Sequence, residues 1–269
     1  MEQIDIAILG ATPSEIFRPA EIFSQSESLE IAGNVFTRHI YRELRVLIGS
    51  TGIGKVNAAA ITAAVLTRFS VMEVWGAGCA GGYRGAGLRI GDVLITSDSI
   101  CGDEGVLHRG GVSGTEIIGI PLVRKGGRIL YERFPLDGFE TFGKAHALLP
   151  PGRYVRDGAT DLLQPDQADE AGRNFFDVRY GPSLTVGMVS GDDETAQKRF
   201  QTYGALAENM EGSAVAQVCF LFETPFLECR GISNIAGIRD KGLWDLSLAA
   251  GNSHAVLGHL LADIAASRH

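Results

Sequence analysis

Val71-Met72-Glu73-Val74-Trp75-Gly76-Ala77-Gly78-Cys79-Ala80-Gly81-Gly82 is the stretch whose reading decides the fold. Val71 to Trp75 is a short apolar-rich run of strand length, and it ends in a cluster of glycines. Gly76-x-Gly78-x-x-Gly81 after a strand has the spacing of a dinucleotide-binding turn. Such a turn must open a long helix whose amino end holds the pyrophosphate. Here Gly82, Tyr83 and Arg84 lead to Gly85 and Gly87 instead, so no long helix starts there. The glycines are better read as places where backbone comes close to a ligand.

Upstream, Ile4 to Leu9 is an apolar run ending in Gly10, as in a buried opening strand. Thr12-Pro13-Ser14-Glu15 has the pattern of a capping box, with proline at the first helical position. Val35–Ile40 and Leu44–Ile48 form a strand pair, and Gly54 opens an Ala-rich helix to about Arg68. Gly49-Ser50-Thr51-Gly52-Ile53-Gly54-Lys55-Val56 approaches the phosphate-cradling P-loop. Val56 stands where that motif needs a hydroxyl for magnesium, so a glycine turn into a helix is the better reading.

Downstream, Gly91–Thr96 is a strand, and residues 102–180 resist assignment. Leu184–Val189 is a strand, Ser190-Gly191-Asp192-Asp193 a turn and helix start, and a helix follows Met210. Phe226–Ile232 is a late strand and Leu246–Ala266 a closing helix. Alternating strands and helices predict an α/β fold, a sheet with helices on its faces.

The 269 residues, 45% hydrophobic and 21% charged, suffice for a sizeable core and show no low-complexity tract. A formal charge of -8 argues against nucleic acid as partner. Met1-Glu2-Gln3-Ile4-Asp5 lacks the basic start and long apolar run of a secretory signal. No stretch reaches the ~20 apolar residues of a membrane span. Cys79, Cys101, Cys219 and Cys229 show no metal spacing, and Cys219 and Cys229, set among apolar residues, read as reduced core thiols. Together these features predict a cytoplasmic protein.

Several strings in shared order resemble the nucleoside phosphorylase and nucleosidase superfamily. They are Ile8-Leu9-Gly10-Ala11 with Glu15, Gly52-Ile53-Gly54-Lys55-Val56-Asn57-Ala58-Ala59, and Gly78-Cys79-Ala80-Gly81-Gly82 with Gly91-Asp92. Ser190-Gly191-Asp192, Glu208-Asn209-Met210-Glu211-Gly212 and Ile232-Ser233-Asn234 complete the order. Within that superfamily, Gly102-Asp103-Glu104-Gly105 and the run from Ser233 through Arg239 to Trp244-Asp245-Leu246 resemble the futalosine hydrolases. The resemblance implies one nucleoside phosphorylase-like domain over 1–269, a three-layer α/β/α fold with a central mixed twisted sheet. It also implies a homo-oligomer that cleaves a purine nucleoside without metal or organic cofactor.

The site residues follow from the same resemblance. Glu15 matches the carboxylate that activates water, although by spacing alone it would close the capping box on Thr12. Asn234 matches the group facing purine N7, where adenine-specific nucleosidases carry an acid; an amide donates to N7 and tolerates a 6-oxo group. Glu211 matches the acceptor of ribose hydroxyl hydrogen bonds, with Met210 against the sugar. Cys79 stands where relatives carry Ser or Thr, and a thiol is a poor phosphate donor, so hydrolysis is favoured over phosphorolysis. With no histidine partner, Cys79 is not expected to be a nucleophile. Arg239, Arg153 and Lys198 are candidates for the aromatic carboxylate of futalosine, and Trp244 for stacking on the purine or filling the core. Asp103 and Glu104 would shape the base pocket or end a strand, and Glu208 would cap a helix or face water. The rivals are a methylthioadenosine/adenosylhomocysteine nucleosidase, a phosphate-dependent purine nucleoside phosphorylase, and a nucleoside-binding protein without turnover.

Overall fold

The computed structural model describes residues 1–16, 25–109, 111–156, 163–165 and 175–268. β1 (Glu2–Gly10), β2 (Gln25–Ile31), β3 (Asn34–Tyr41) and β4 (Leu44–Ser50) precede α1 (Lys55–Arg68). β5 (Phe69–Gly82) and β6 (Val93–Cys101) follow, then two small hairpins, β7–β8 (Val106–His108, Gly111–Ser113) and β9–β10 (Val123–Lys125, Arg128–Leu130). Next come β11 (Arg133–Pro135), α2 (Glu140–Leu148), β12 (Gly152–Arg156), β13 (Leu163–Pro165) and β14 (Phe175–Thr185). α3 (Asp193–Tyr203), β15 (Ala207–Asn209), α4 (Gly212–Phe222), β16 (Phe226–Ile235) and α5 (Leu246–Ala266) complete the order.

The central sheet runs β13-β12-β14-β6-β16-β5-β1-β4-β3-β2, with β11 beside β6 and β15 bridging β14 and β5. It is mixed: β1 is parallel to β4 and β5, and β5 to β16, whereas β16 meets β6 antiparallel. β1 shows why its sequence is a continuous apolar run. Ile6 and Ile8 enter one buried cluster with α5, and Ala7 and Leu9 enter another with α1 and α4. A strand covered on both faces has no polar side to display. This is the three-layer α/β architecture expected.

The glycine cluster departs from expectation. β5 does not stop at Trp75 but continues to Gly82, so these glycines are strand residues. Their bare Cα atoms make room for neighbours: a Cβ at Gly76 would press on the Phe226 ring, and one at Gly78 would fall 2.4 Å from Arg230 Nη1. Two further readings shift. β14 ends at Thr185, leaving Val186–Val189 outside it. Thr12–Glu15 forms a turn closed by Glu15 N–H on Thr12 O (3.0 Å), with no helix through Ile16, and whatever follows from 17 to 24 lies outside the described residues. Segment 102–180, unassigned from sequence, holds α2, the hairpins and most of β11 to β14.

Candidate active site

β1, β5 and β16 run parallel, and their carboxyl ends open on one cavity of about 300 Å³. Crevices beyond strand carboxyl ends are the usual ligand sites of open α/β sheets. The turn after β1 brings Glu15, the glycine strand β5 brings Cys79 to Gly81, and the β15–α4 junction brings Glu208 to Glu211. β16 brings Ser233 and Asn234, and the segment before α5 brings Arg239, Trp244 and Leu246. All seven residues singled out from sequence, Glu15, Cys79, Met210, Glu211, Asn234, Arg239 and Trp244, line this one cavity.

Glu15 is half-buried. Its Oε2 accepts from Thr12 N–H (3.1 Å) and Thr12 Oγ1 (3.0 Å), and its Oε1 accepts from Cys79 N–H (3.0 Å). The structural bond to Thr12 and the position in the cavity therefore coexist in one carboxylate. Glu211 is buried, and its Oε1 accepts from Gly54 N–H at 2.9 Å. Burial raises its pKa above the ordinary carboxylate value; Arg230 and the Gly54 amide offset part of that, and the Glu15 charge adds to it. Gly54 opens α1, so the near-P-loop sequence spends this amide on a site carboxylate. Lys55 binds Asp103 (2.6 Å) and Glu104 (2.8 Å) instead of facing a phosphate.

Asn234 sits within β16, near its carboxyl end. Ser233 Oγ donates to its Oδ1 (2.9 Å), and one hydrogen of its amide nitrogen goes to Ile235 O (3.2 Å). The second remains for a ligand. The Cys79 thiol is pushed up to about 12 by burial and then by the Glu15 charge, so it stays protonated. Arg239, exposed at the rim, lies 4.9 Å over the Trp244 ring, whose Nε1 donates to Ile238 O (3.1 Å).

Four further candidates lie elsewhere. Arg153 pairs with Asp177 and stacks on Phe175, and exposed Lys198 bonds Glu194 one helical turn away. Asp103 and Glu104 are committed to Lys55 and do not line the cavity. Two residues were missed. Glu208, expected to cap or face water, is 4% exposed and lines the cavity, bound by Tyr83, Ser190 and Arg199. Arg230, 3% exposed, pairs with fully buried Glu228 at 2.9 Å and lies 3.9 Å from Glu211 Oε2. A signal for Arg230 existed: Glu228 and Arg230, two apart in an apolar strand, must share a face, and a buried charge must be paired.

Among its lining residues the cavity has three carboxylates, Glu15, Glu208 and Glu211, against one cation, Arg239. Behind that wall Arg199 pairs with Glu208 and Arg230 lies beside Glu211, so Glu15 is the carboxylate of the three without an ion pair among the described residues. Among the described residues no group of three His, Cys, Asp or Glu is placed to hold a metal, and no helix is long and apolar enough to cross a membrane.

Residues 5–262 match the model of the Phosphorylase superfamily. The chain belongs to that superfamily. A futalosine hydrolase of Thermus thermophilus is 30% identical over 218 residues, 81% of this chain and 82% of the relative. A 5'-methylthioadenosine/S-adenosylhomocysteine nucleosidase of Bacillus pumilus is also 30% identical, over 251 residues covering 93% of this chain and 94% of the relative. Among solved structures, the same type of nucleosidase from Colwellia psychrerythraea, in complex with adenine, superposes with a TM-score of 0.73 at 24% identity. The match covers 97% of this chain and 96% of that one. The chain is an enzyme of this nucleosidase group. Equal identity to two named nucleosidases leaves the substrate to the chemistry of the cavity.

Proposed function

We propose that the chain hydrolyses the N-glycosidic bond of futalosine, releasing hypoxanthine and dehypoxanthine futalosine, a step of menaquinone biosynthesis. The observation that carries this reading is the convergence of Glu15, Glu211 and the Asn234 amide on one carboxylate-rich cavity. Water attacks C1′ while Glu15 takes its proton, and the electrons of the breaking C1′–N9 bond pass into the purine, which leaves as an anion and takes a proton from solvent as Glu15 returns its own. Asn234 donates to N7, where that negative charge gathers. Glu211 accepts from the ribose hydroxyls and its charge favours the cationic sugar, with Met210 packed on the ribose. Cys79 stays a protonated thiol in the wall. Trp244 and Arg239 at the rim are the aromatic face and cation for the substrate's aromatic carboxylate.

The second reading, a methylthioadenosine nucleosidase, is favoured by the identity to the Bacillus relative. The enzyme is read as a cytoplasmic homo-oligomer of one nucleoside phosphorylase-like domain, needing neither metal nor organic cofactor. Strongly exposed apolar side chains at Val56, Leu107, Ile117 and Ile120 support self-association. Light scattering at micromolar concentration should give a multiple of the chain mass, and a monomer would count against it.

Futalosine, methylthioadenosine and inosine assayed with and without phosphate separate the readings. Release of hypoxanthine from futalosine at a rate indifferent to phosphate is expected. Cleavage of methylthioadenosine alone, or a strict phosphate requirement, would overturn the proposal.

A further inference from the structure

We propose that Glu228 is a positioning residue of the active site: it holds the Arg230 guanidinium off Glu211, so that Glu211 keeps an oxygen and its negative charge for the sugar. This deepens the reading of Glu211 as the ribose acceptor and rests on it. Glu228 and Arg230 stand two apart in β16, beside Gly76 and Gly78 of β5. Neither lines the cavity, yet the sequence clears space for both. A Cβ at Gly78 would strike Arg230 Nη1, and one at Gly212, the first residue of α4, would strike Glu228 Oε1. A buried ion pair is weakly explained by stability, since apolar side chains of similar size often replace it without loss. What the pair faces is the better guide to its use.

The Glu228 carboxylate is anchored from three sides. Its Oε1 accepts from Arg230 Nε at 2.9 Å, Arg230 Nη2 lies 2.9 Å from the same oxygen, and Asn209 Nδ2 donates to it at 3.4 Å. Its Oε2 accepts from Ser183 Oγ at 2.9 Å. With Nε and Nη2 committed, Nη1 is the nitrogen turned to Glu211, and it stops 3.9 Å from Oε2, beyond hydrogen-bond length. Among the described residues Glu211 Oε2 accepts no hydrogen bond, while Oε1 takes the Gly54 amide. One oxygen is thus left for ribose hydroxyls.

Charge is divided in the same way. Burial raises the Glu211 pKa, Arg230 is the cation that lowers it, and Glu15, from the turn after β1, adds to the rise. Glu228 cancels part of the Arg230 field, so the negative charge turned toward the sugar survives beside a buried cation. The other titratable groups around the cavity are settled: Cys79 of β5 stays a thiol, and Glu208 of β15 is paired with Arg199 of α3. Without the Glu228 charge, the guanidinium would close the gap and take Oε2 for itself.

The test is the pH profile of futalosine or inosine cleavage by the whole protein. Glu228→Gln keeps the shape and removes the charge. The acid limb of kcat/KM should move down by about one pH unit, because Arg230 then acts on Glu211 and Glu15 unopposed. KM should rise roughly tenfold with kcat changed less, since Glu211 must leave Arg230 before it can take the ribose. Hypoxanthine, which has no ribose, should bind the variant as it binds the wild type in calorimetry. Glu228→Asp keeps the charge and should keep the limb at its wild-type pH. A merely structural Glu228 would weaken base binding and turnover together, and an acid limb that stays in place in Glu228→Gln overturns the inference. Should that variant fail to melt cooperatively, adding Arg230→Gln leaves no unpaired buried charge. The limb of this double variant should lie at or above the wild-type pH, and a limb below it overturns the inference independently. A wild type that cleaves no purine nucleoside sinks the ribose reading of Glu211 as well. Cleavage with an unmoved limb removes Glu228 alone.

Discussion

At Glu15 both carboxylate oxygens already accept hydrogen bonds, Oε2 from Thr12 and Oε1 from the Cys79 amide. The side chain is thus held by β1's following turn and by β5 at once, and a proton acceptor gains from being fixed before substrate arrives. Glu15→Gln keeps the shape and an oxygen for one of these bonds but removes the base. We expect kcat to fall by about 10²–10⁴ with substrate binding changed only a few-fold. Steady-state kinetics alongside calorimetry on the variant would show this; equal losses in affinity and turnover would assign Glu15 to structure. Acidity enters through Glu211, whose pKa is raised chiefly by burial. Its charge is present above that raised value and lost as pH falls through it, so the acid limb of kcat/KM should lie above the ordinary glutamate value of 4.5.

Among the elements, those whose sequence announced them are the ones under local control. α1 begins after Gly54 and α5 spans Leu246–Ala266, both as read from the sequence pattern, and the structure adds an Asp245 cap to α5. β5 was cut short because a glycine run reads as a loop until its neighbours are known. At Gly76 and Gly78 it is the Phe226 ring and the Arg230 guanidinium, far along the chain, that explain why those Cα atoms must be bare. Glu208 was hidden because its partners are Tyr83 just after β5, Ser190 in the turn before α3, and Arg199 in α3, a set that no local window contains. Positions carried by resemblance fared better, since Glu15, Glu211 and Asn234 reach one cavity although nothing in their spacing required it. β16 is where the site depends most on element packing, because it carries both Arg230 and Asn234 and lies against α5. A Cβ at Gly231 would fall 1.9 Å from Ala249 O, a backbone atom that cannot swing aside. Gly231→Ala should therefore cost about 1–3 kcal/mol or more and displace β16. Chemical denaturation together with activity reads both effects, and an unchanged midpoint would show that α5 yields more easily than its packing suggests.

For the molecule as a whole, stability against pH is governed by carboxylates outside the cavity as well as within it, and two of them pull in opposite directions. Asp5 is buried, which by itself raises its pKa, but bonds from Arg45 and Arg268 outweigh burial and leave it lowered. It contributes stability that is present above its unfolded value and lost as pH falls through the folded one. Glu73, 9% exposed in β5, is pushed up to about 7, mainly by burial, with Trp75 and Lys144 offsetting part and Glu140 adding to it. Below 4.5 it is neutral whether the chain is folded or not. Between 4.5 and about 7 the unfolded chain ionises Glu73 while the folded chain keeps its proton, so stability declines as pH rises. Above that window the whole penalty is present, on the order of 3 kcal/mol at 1.36 kcal/mol per unit. Glu73→Gln removes the ionisation and keeps the shape, so the variant should gain stability over wild type at pH 8 and little at pH 5. Taking the difference between the two proteins cancels the opposing contribution of Asp5, which both share. Thermal melts at the two pH values read that difference directly, and a gain of equal size at both would mean that Glu73 gives up its proton no less readily in the fold than outside it.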